Sequence, residues 1–545
     1  MRAKLEIPIA GRAYRPLLAL ATLLAISPLP AFAHDPIDGS RPPPQTSGVS
    51  IPPGQIARAV KEIDSLAKEM MERSGVPGLA VVVVQDGKVL ALKGYGVRKA
   101  GEPATIDADT VFQLASLSKA VGAGVVAHEV GKGLKGTGQA GKDQAGSGKV
   151  KWDTPMRTLL PWFALSDPWV TDHVTLADLY SHRSGLPDHA GDELESIGFD
   201  RRQVLERLRL LPLAPFRASY FYTNFGLTAA AEAVATAAGK EWADLSQEVL
   251  YKPLGMAATS SRFADFMARP NRAFPHVKTD GGFVSKYQRD PDAQAPAGGV
   301  SSSARDMGKW LAFVLGNGTV EGNEIVPAAA LLPAMRGETI SSPAYAVDAR
   351  AGTYGFGFSV GVSPAGRVTL DHSGAFILGA ATNFVLLPSE KLGIVVLTNA
   401  QPTGAPEALA MSFMDIAQFG GLTRDWYAAY QPLIMPMYKP AGALVGKAPP
   451  QKPEPAKPLA NYTGTYGNAY FGDATVAEEA GGLVLIIGPL PRRYTLAHWS
   501  GDSFTFRPEG EETFPPGTVS QVKFADGRMT VEIFNDNGLG TFARK

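Results

Sequence analysis

The chain has 545 residues, with 52 Lys+Arg against 52 Asp+Glu, 45% hydrophobic residues and no cysteine. That length holds one large domain and a smaller one. Zero net charge gives no broad field to attract nucleic acid or an anionic membrane, and the absence of cysteine excludes disulfides, thiolate nucleophiles and Cys–zinc sites.

Arg2, Lys4, Arg12 and Arg15 precede a short apolar run, Pro16 to Ile26, and Ala31-Phe32-Ala33 supplies a small-x-small cleavage pattern. This predicts an export signal over residues 1–33, cut near Ala33/His34, and a periplasmic or secreted mature chain. The run is shorter than the ~20 residues that span a bilayer, so no stable membrane span is expected after cleavage. Residues 34–54, rich in Pro and Ser, read as a disordered leader.

A main domain is expected over 55–435. Ile56, Val60, Ile63, Leu66 and Met70 recur at helical spacing and predict one amphipathic helix from Gln55 to Ser74. Leu79 to Val84, a turn at Asp86-Gly87 and Val89 to Lys93 predict a β-hairpin. A helix leading into hairpin strands, with more helices to follow, indicates an α/β sandwich with an antiparallel sheet. Gly131 to Val150 shifts to Gly, Lys, Gln and Ser, a flexible surface insertion. A Pro- and Lys-rich linker is expected over 436–458, followed by a small all-β domain over 459–545. Its strand-like runs are Leu483 to Ile487, Ser503 to Arg507, Val519 to Phe524 and Met529 to Phe534.

Three motifs carry chemistry. In Ser116-Leu-Ser-Lys119, serine and lysine one helical turn apart share a face, so a part-buried lysine can accept the serine proton. At a helix start the serine also meets free N–H groups that favour an oxyanion. Ser65-Leu-Ala-Lys68 has the same spacing mid-helix and reads as a solvated face. In Tyr222-Thr-Asn224, a tyrosine beside Lys⁺ can have its pKa lowered and shuttle a proton, while Asn224 shares its side of an extended segment. Tyr466-Gly-Asn468 repeats that pattern in the β domain and serves as its decoy. In His372-Ser373-Gly374-Ala375, a strand edge with a glycine lets substrate backbone approach, and the Ala375 N–H can pair with that of Ser116. His189-Ala-Gly191 is the decoy here, in a turn-rich segment. The eight histidines show no metal-ligand spacing, so neither metal nor cofactor is expected.

The three motifs in this order resemble the serine β-lactamase and penicillin-binding-protein superfamily, specifically its class C-like branch of β-lactamases, esterases and D-amino-acid peptidases. The likeness covers roughly residues 55 to 425 and includes Leu179-Tyr-Ser-His182-Arg-Ser-Gly185-Leu-Pro187, Pro253-Leu-Gly-Met256, Pro296-Ala-Gly-Gly299-Val-Ser-Ser-Ser-Ala-Arg-Asp306, and Leu387-Pro388 leading into Leu392-Gly-Ile-Val-Val-Leu-Thr-Asn399, which look like scaffold turns. It implies a sandwich of an antiparallel sheet with flanking helices and an all-α lobe. It also implies an exported serine hydrolase acting through an acyl-enzyme on a β-lactam, a D-amino-acid peptide or a carboxylic ester. Ser116 would be nucleophile, Lys119 its base partner and Tyr222 the general base and acid. Asn224, His372, Ser373, Gly374 and Ala375 would bind substrate, which is a small molecule or a peptide, peptidoglycan-derived in one reading. The alternative is a penicillin- or peptidoglycan-binding protein with little turnover. One departure bears on substrate: class C β-lactamases usually carry lysine where this chain has His372. A histidine is mostly neutral at pH 7, which shifts the expectation toward esters, amides and D-amino-acid peptides. Tyr462-Thr-Gly-Thr-Tyr466 resembles the lipocalin-like β domains appended to this branch.

Overall fold

A computed structural model describes residues 45–135, 150–508, 510 and 515–545. The expected export signal, the leader as far as residue 44 and residues 136–149 of the insertion lie outside the described residues. The single first helix is two, α1 (Gln55–Lys61) and α2 (Ile63–Ser74), parted at Glu62. Its apolar stripe survives the break, with Ala59, Ile63, Leu66, Ala67 and Met70 buried. The hairpin follows as β1 (Gly78–Gln85) and β2 (Lys88–Gly96). Asp86 and Gly87 both take positive φ (49° and 74°), which matches the right-handed twist of the strands they join.

Six later strands complete the main sheet: β3 (Thr339–Ser342), β4 (Gly352–Tyr354), β5 (Ser359–Val362), β6 (Val368–Phe376), β7 (Ala380–Leu387) and β8 (Leu392–Thr398). Their order is β2-β1-β8-β7-β6-β5-β4-β3, antiparallel throughout. Central β1 is apolar at nearly every position because both of its faces are covered. Val81, Val83, Val385, Ile394 and Val396 pack with α2 and a late helix; Val82, Val84, Phe384 and Val395 belong to the core that includes the helical lobe.

The elements that place the site are α3 (Leu117–Lys135), α4 (Asp192–Ser196), α5 (Asn224–Ala238), α6 (Ala304–Leu315), α7 (Ala405–Phe419) and α8 (Trp426–Ile434). Gly131 to Lys135, expected to open the flexible insertion, instead continue α3. Gly131 packs so closely that an added Cβ would fall 2.6 Å from Pro327 Cδ. That close approach is what the small residues along α3 allow.

The C-terminal segment closes into an eight-stranded antiparallel barrel with each strand beside its sequence neighbours: β9 (Gly464–Asn468), β10 (Gly472–Glu479), β11 (Gly482–Ile487), β12 (Arg492–Ser500), β13 (Ser503–Phe506), β14 (Ser520–Ala525), β15 (Arg528–Val531) and β16 (Thr541–Arg544). This is the up-and-down arrangement of lipocalin-like barrels. Residues 51–545 form one compact unit. Within it the barrel docks on the chain that includes and follows α4. Arg492 Nε donates to the Ser196 carbonyl at 3.1 Å, and Arg207 Nε to the Tyr470 carbonyl at 3.0 Å. Leu490 sits against Gly198, and Gly488 against Ile197.

Candidate active site

Ser116 stands between Ala115, held at φ 47°, and the first turn of α3. Its position is fixed from three sides. The strand-like Val111–Gln113 pairs with Ser301–Ser303; the Leu114 N–H donates to the Val300 carbonyl at 2.8 Å; and Thr382 Oγ1 on β7 donates to the Leu114 carbonyl at 2.7 Å. Gly374 on β6 lies so near that a Cβ there would come within 2.3 Å of the Leu114 oxygen and 3.1 Å of the Ser116 nitrogen. Only glycine lets β6 approach the serine this closely.

Lys119 is fully buried one turn along. Its Nζ donates to Ser116 Oγ at 3.0 Å, to Asn224 Oδ1 at 2.7 Å and to the Ala297 carbonyl at 3.0 Å. Burial pushes its pKa down to about 7, partly opposed by the negative charge of Asp192. The decoy Ser65 and Lys68 are exposed on α2, with Lys68 facing Glu72.

The Tyr222 hydroxyl donates to Ser116 Oγ at 2.8 Å, and its ring lies 4.5 Å from Lys119 Nζ. Contrary to expectation, its pKa is raised: burial outweighs what its surroundings give back. The phenol therefore rests protonated. Asn224 is not on an extended segment but opens α5; the backbone turns there, and its Nδ2 donates to Asp192 Oδ2 at 2.7 Å. Tyr466 of the other decoy is buried in the barrel, bonded to the Tyr462 carbonyl.

His372 is buried. Nδ1 is 2.7 Å from the Ser373 carbonyl oxygen, so it carries the proton, and Nε2 accepts from the Tyr354 hydroxyl at 2.8 Å. Burial and the Lys119 charge push its pKa down to about 3. Both ring nitrogens are thus occupied by protein, and His372 offers substrate neither a charge nor a free N–H. The cleft around these groups is about 450 Å³ and is lined by Ser116, Tyr222, Asn224, His372, Ser373 and Ala375 among others.

Four side chains escaped sequence reasoning. His189, taken as a decoy, lines the cleft with Nδ1 2.8 Å from Asp192 Oδ2. Asp192 is the buried hub that joins it to Asn224. His182, in a stretch that reads as scaffold, packs tilted with its ring centroid 4.6 Å from that of Tyr222, and its Nδ1 accepts the Thr223 N–H at 3.1 Å. Met437, assigned to the linker, also lines the cleft. The positive φ of His189 (55°) and the Asp two residues beyond Ala190 mark a tight turn, a signal a histidine–glycine spacing alone does not carry. Among the described residues no group of His, Cys, Asp and Glu is placed to hold a metal, and no helix is long and apolar enough to cross a membrane.

An antiparallel sheet flanked by helices, with a part-buried Ser–Lys–Tyr cluster between a helix start and a sheet edge, is the β-lactamase and penicillin-binding-protein fold. The chain belongs to the beta-lactamase family, which residues 63–417 match, and residues 448–537 match a domain of unknown function (DUF3471). It is 26% identical over 438 residues to unguisins hydrolase ungD' of Aspergillus campestris, covering 76% of this chain and 77% of that one. To the D-alanyl-D-alanine-carboxypeptidase/endopeptidase AmpH of Escherichia coli it is 23% identical, covering 62% of this chain and 84% of the other. The octameric penicillin-binding protein homologue from Pyrococcus abyssi superposes with a TM-score of 0.56 at 18% identity, over 87% of this chain and 98% of that one.

Proposed function

We propose that the chain is an exported serine hydrolase that cleaves ester or amide bonds, including those of D-amino-acid peptides, through a Ser116 acyl-enzyme. The observation that carries this reading is the Ser116 hydroxyl held at 3.0 Å from a lysine nitrogen and 2.8 Å from a tyrosine hydroxyl. A lysine with a pKa of about 7 is half deprotonated near neutrality and can take the serine proton as Oγ attacks the substrate carbonyl. The new C–O bond forms while the carbonyl π pair moves to oxygen, beside the start of α3 and the Ala375 segment. On collapse, Tyr222 gives its proton to the leaving group and recovers one from Lys119. A phenol with a raised pKa suits this relay better than that of a resting base. Water then repeats the sequence on the acyl-enzyme and restores Ser116.

A His372 that is neutral and already bonded leaves no cation at that position for a β-lactam carboxylate, so neutral esters, amides and peptides rank ahead of carboxylated β-lactams. The relative named as a D-alanyl-D-alanine-carboxypeptidase/endopeptidase supports the amide arm. The basic and then apolar N-terminus supports export. The test is a reporter ester, a chromogenic cephalosporin and a D-alanyl amide, each with the wild type and with Ser116→Ala. Turnover of the ester or the amide that falls by roughly 10³ or more in the variant is expected. Hydrolysis intact in Ser116→Ala would remove the nucleophile assignment, and a stoichiometric burst without turnover would make the chain a binding protein.

A further inference from the structure

β5 pairs with β6 only as far as Asp371, and from His372 to Phe376 the β5 side of β6 carries no described strand. The cleft wraps around this open edge. Strand alternation sends His372 and Gly374 toward α3, and Asp371, Ser373 and Ala375 to the other face. Val385, which pairs with Asp371, lies in the core of that second face with α7. Asp371, Ser359, Ser373 and Met437 line the cleft there, and Ser373 is exposed to it.

What this side of the cleft holds is acidic, with no cation beside it. Asp371 has neither a hydrogen bond nor a cation beside it, and burial alone pushes its pKa up to about 7. Behind Ser373, Glu407 of α7 is only 6% exposed, and its Oε2 has no donor. Its carboxyl is also pushed up by burial, partly opposed by backbone hydrogen bonding and by a hydrogen bond from the Ser373 hydroxyl. Asn383 Nδ2 donates to Ser373 Oγ at 3.2 Å, and Tyr430 of α8 and Tyr354 of β4 feel the Asp371 charge from the flanking elements. The cations of the cleft are engaged elsewhere, Lys119 with Ser116 and Asn224 and Arg289 with Glu195, and the His189 ring faces Asp192. A buried carboxyl oxygen without a donor, as Glu407 Oε2 is, is costly unless a ligand supplies one.

We propose that the outer face of the β6 edge is a subsite for an ammonium group of the substrate, received by Asp371 and Ser373 with Glu407 behind them. An ammonium brings three donors to groups that have acceptors to spare, and its charge relieves the desolvated carboxyls. A substrate carboxylate is repelled at the same place. Four steps of strand lead from Asp371 to Ala375, about 13 Å at ~3.3 Å per residue, so the recognised amine lies well away from the scissile bond. The proposal deepens the hydrolase reading and rests on it for the word substrate, but the subsite itself is readable by binding alone.

The probe is hexylammonium, with 1-hexanol and hexanoate as isosteric controls. Each is titrated calorimetrically into the full chain and assayed as an inhibitor of neutral-ester turnover. Hexylammonium is expected to bind at least tenfold more tightly than hexanol, with hexanoate weakest, and to compete with the ester. Asp371→Asn should bring hexylammonium and hexanol within about twofold, and Glu407→Gln should weaken the preference less. Equal affinity for the three probes, or a preference that both variants retain, overturns the subsite. If the ester is not turned over while hexylammonium still binds through Asp371, the acyl-transfer reading fails and the subsite stands.

Discussion

In the proposed mechanism Lys119 decides how the cleft works. Its three hydrogen bonds go to three oxygens, which suits the charged form, while complete burial disfavours that form. The balance is a pKa pushed down to about 7, with Asp192 pulling it back up. Attack as proposed needs the neutral amine, so kcat/KM on a neutral ester should rise tenfold per pH unit below about 7 and level off above it. Asp192→Asn removes the charge that favours the protonated lysine. The rising limb should then move to lower pH, by about one unit. A pH–rate profile of the variant checks this; a limb that stays in place means that another group titrates. The shift requires Asn224 to stay where Asp192 now holds it, so the crystal structure of the variant is the natural control.

At the scale of elements, the site depends on α4, a helix of five residues that carries Asp192 at its first position. So short a segment has little stability of its own. Its downstream end is clamped by the barrel, through Arg492 on the Ser196 carbonyl and through Leu490 and Gly488 against Gly198 and Ile197. A Cβ at Gly488 would fall 2.1 Å from the Ile197 oxygen. Gly488→Val should therefore wedge the barrel away from α4, speed hydrogen exchange over residues 192–199 and lower kcat/KM by roughly tenfold, as a small misplacement of a positioning group does. The milder Arg492→Ala should do the same to a smaller degree. Faster exchange with unchanged kcat/KM would show that the barrel steadies α4 without serving the site.

Across the whole molecule, the parts legible in the sequence are those set by local pattern. The β1–β2 hairpin follows from alternation and an Asp-Gly turn, and Ser116 with Lys119 follows from one turn of helix. Strands β11, β13, β14 and β15 read from apolar runs, whereas β9, β10, β12 and β16 do not, because charged and small residues alternate on a barrel's outer face. The tertiary partners were the hidden part. Nothing local shows that Asp192 meets Asn224 across 32 residues, or that Tyr354 occupies the His372 nitrogen. The direction of the Tyr222 shift was misread for the same reason, since burial belongs to the fold and not to the motif.

The central claim is that Ser116 becomes covalently acylated. Rapid acid quench of the enzyme with a slowly deacylating ester, followed by intact-mass and peptide mass spectrometry, tests it most directly. One acyl adduct per chain is expected, located on Ser116 and absent from Ser116→Ala. An adduct on another residue, or turnover with no adduct under conditions where deacylation is rate-limiting, would contradict it.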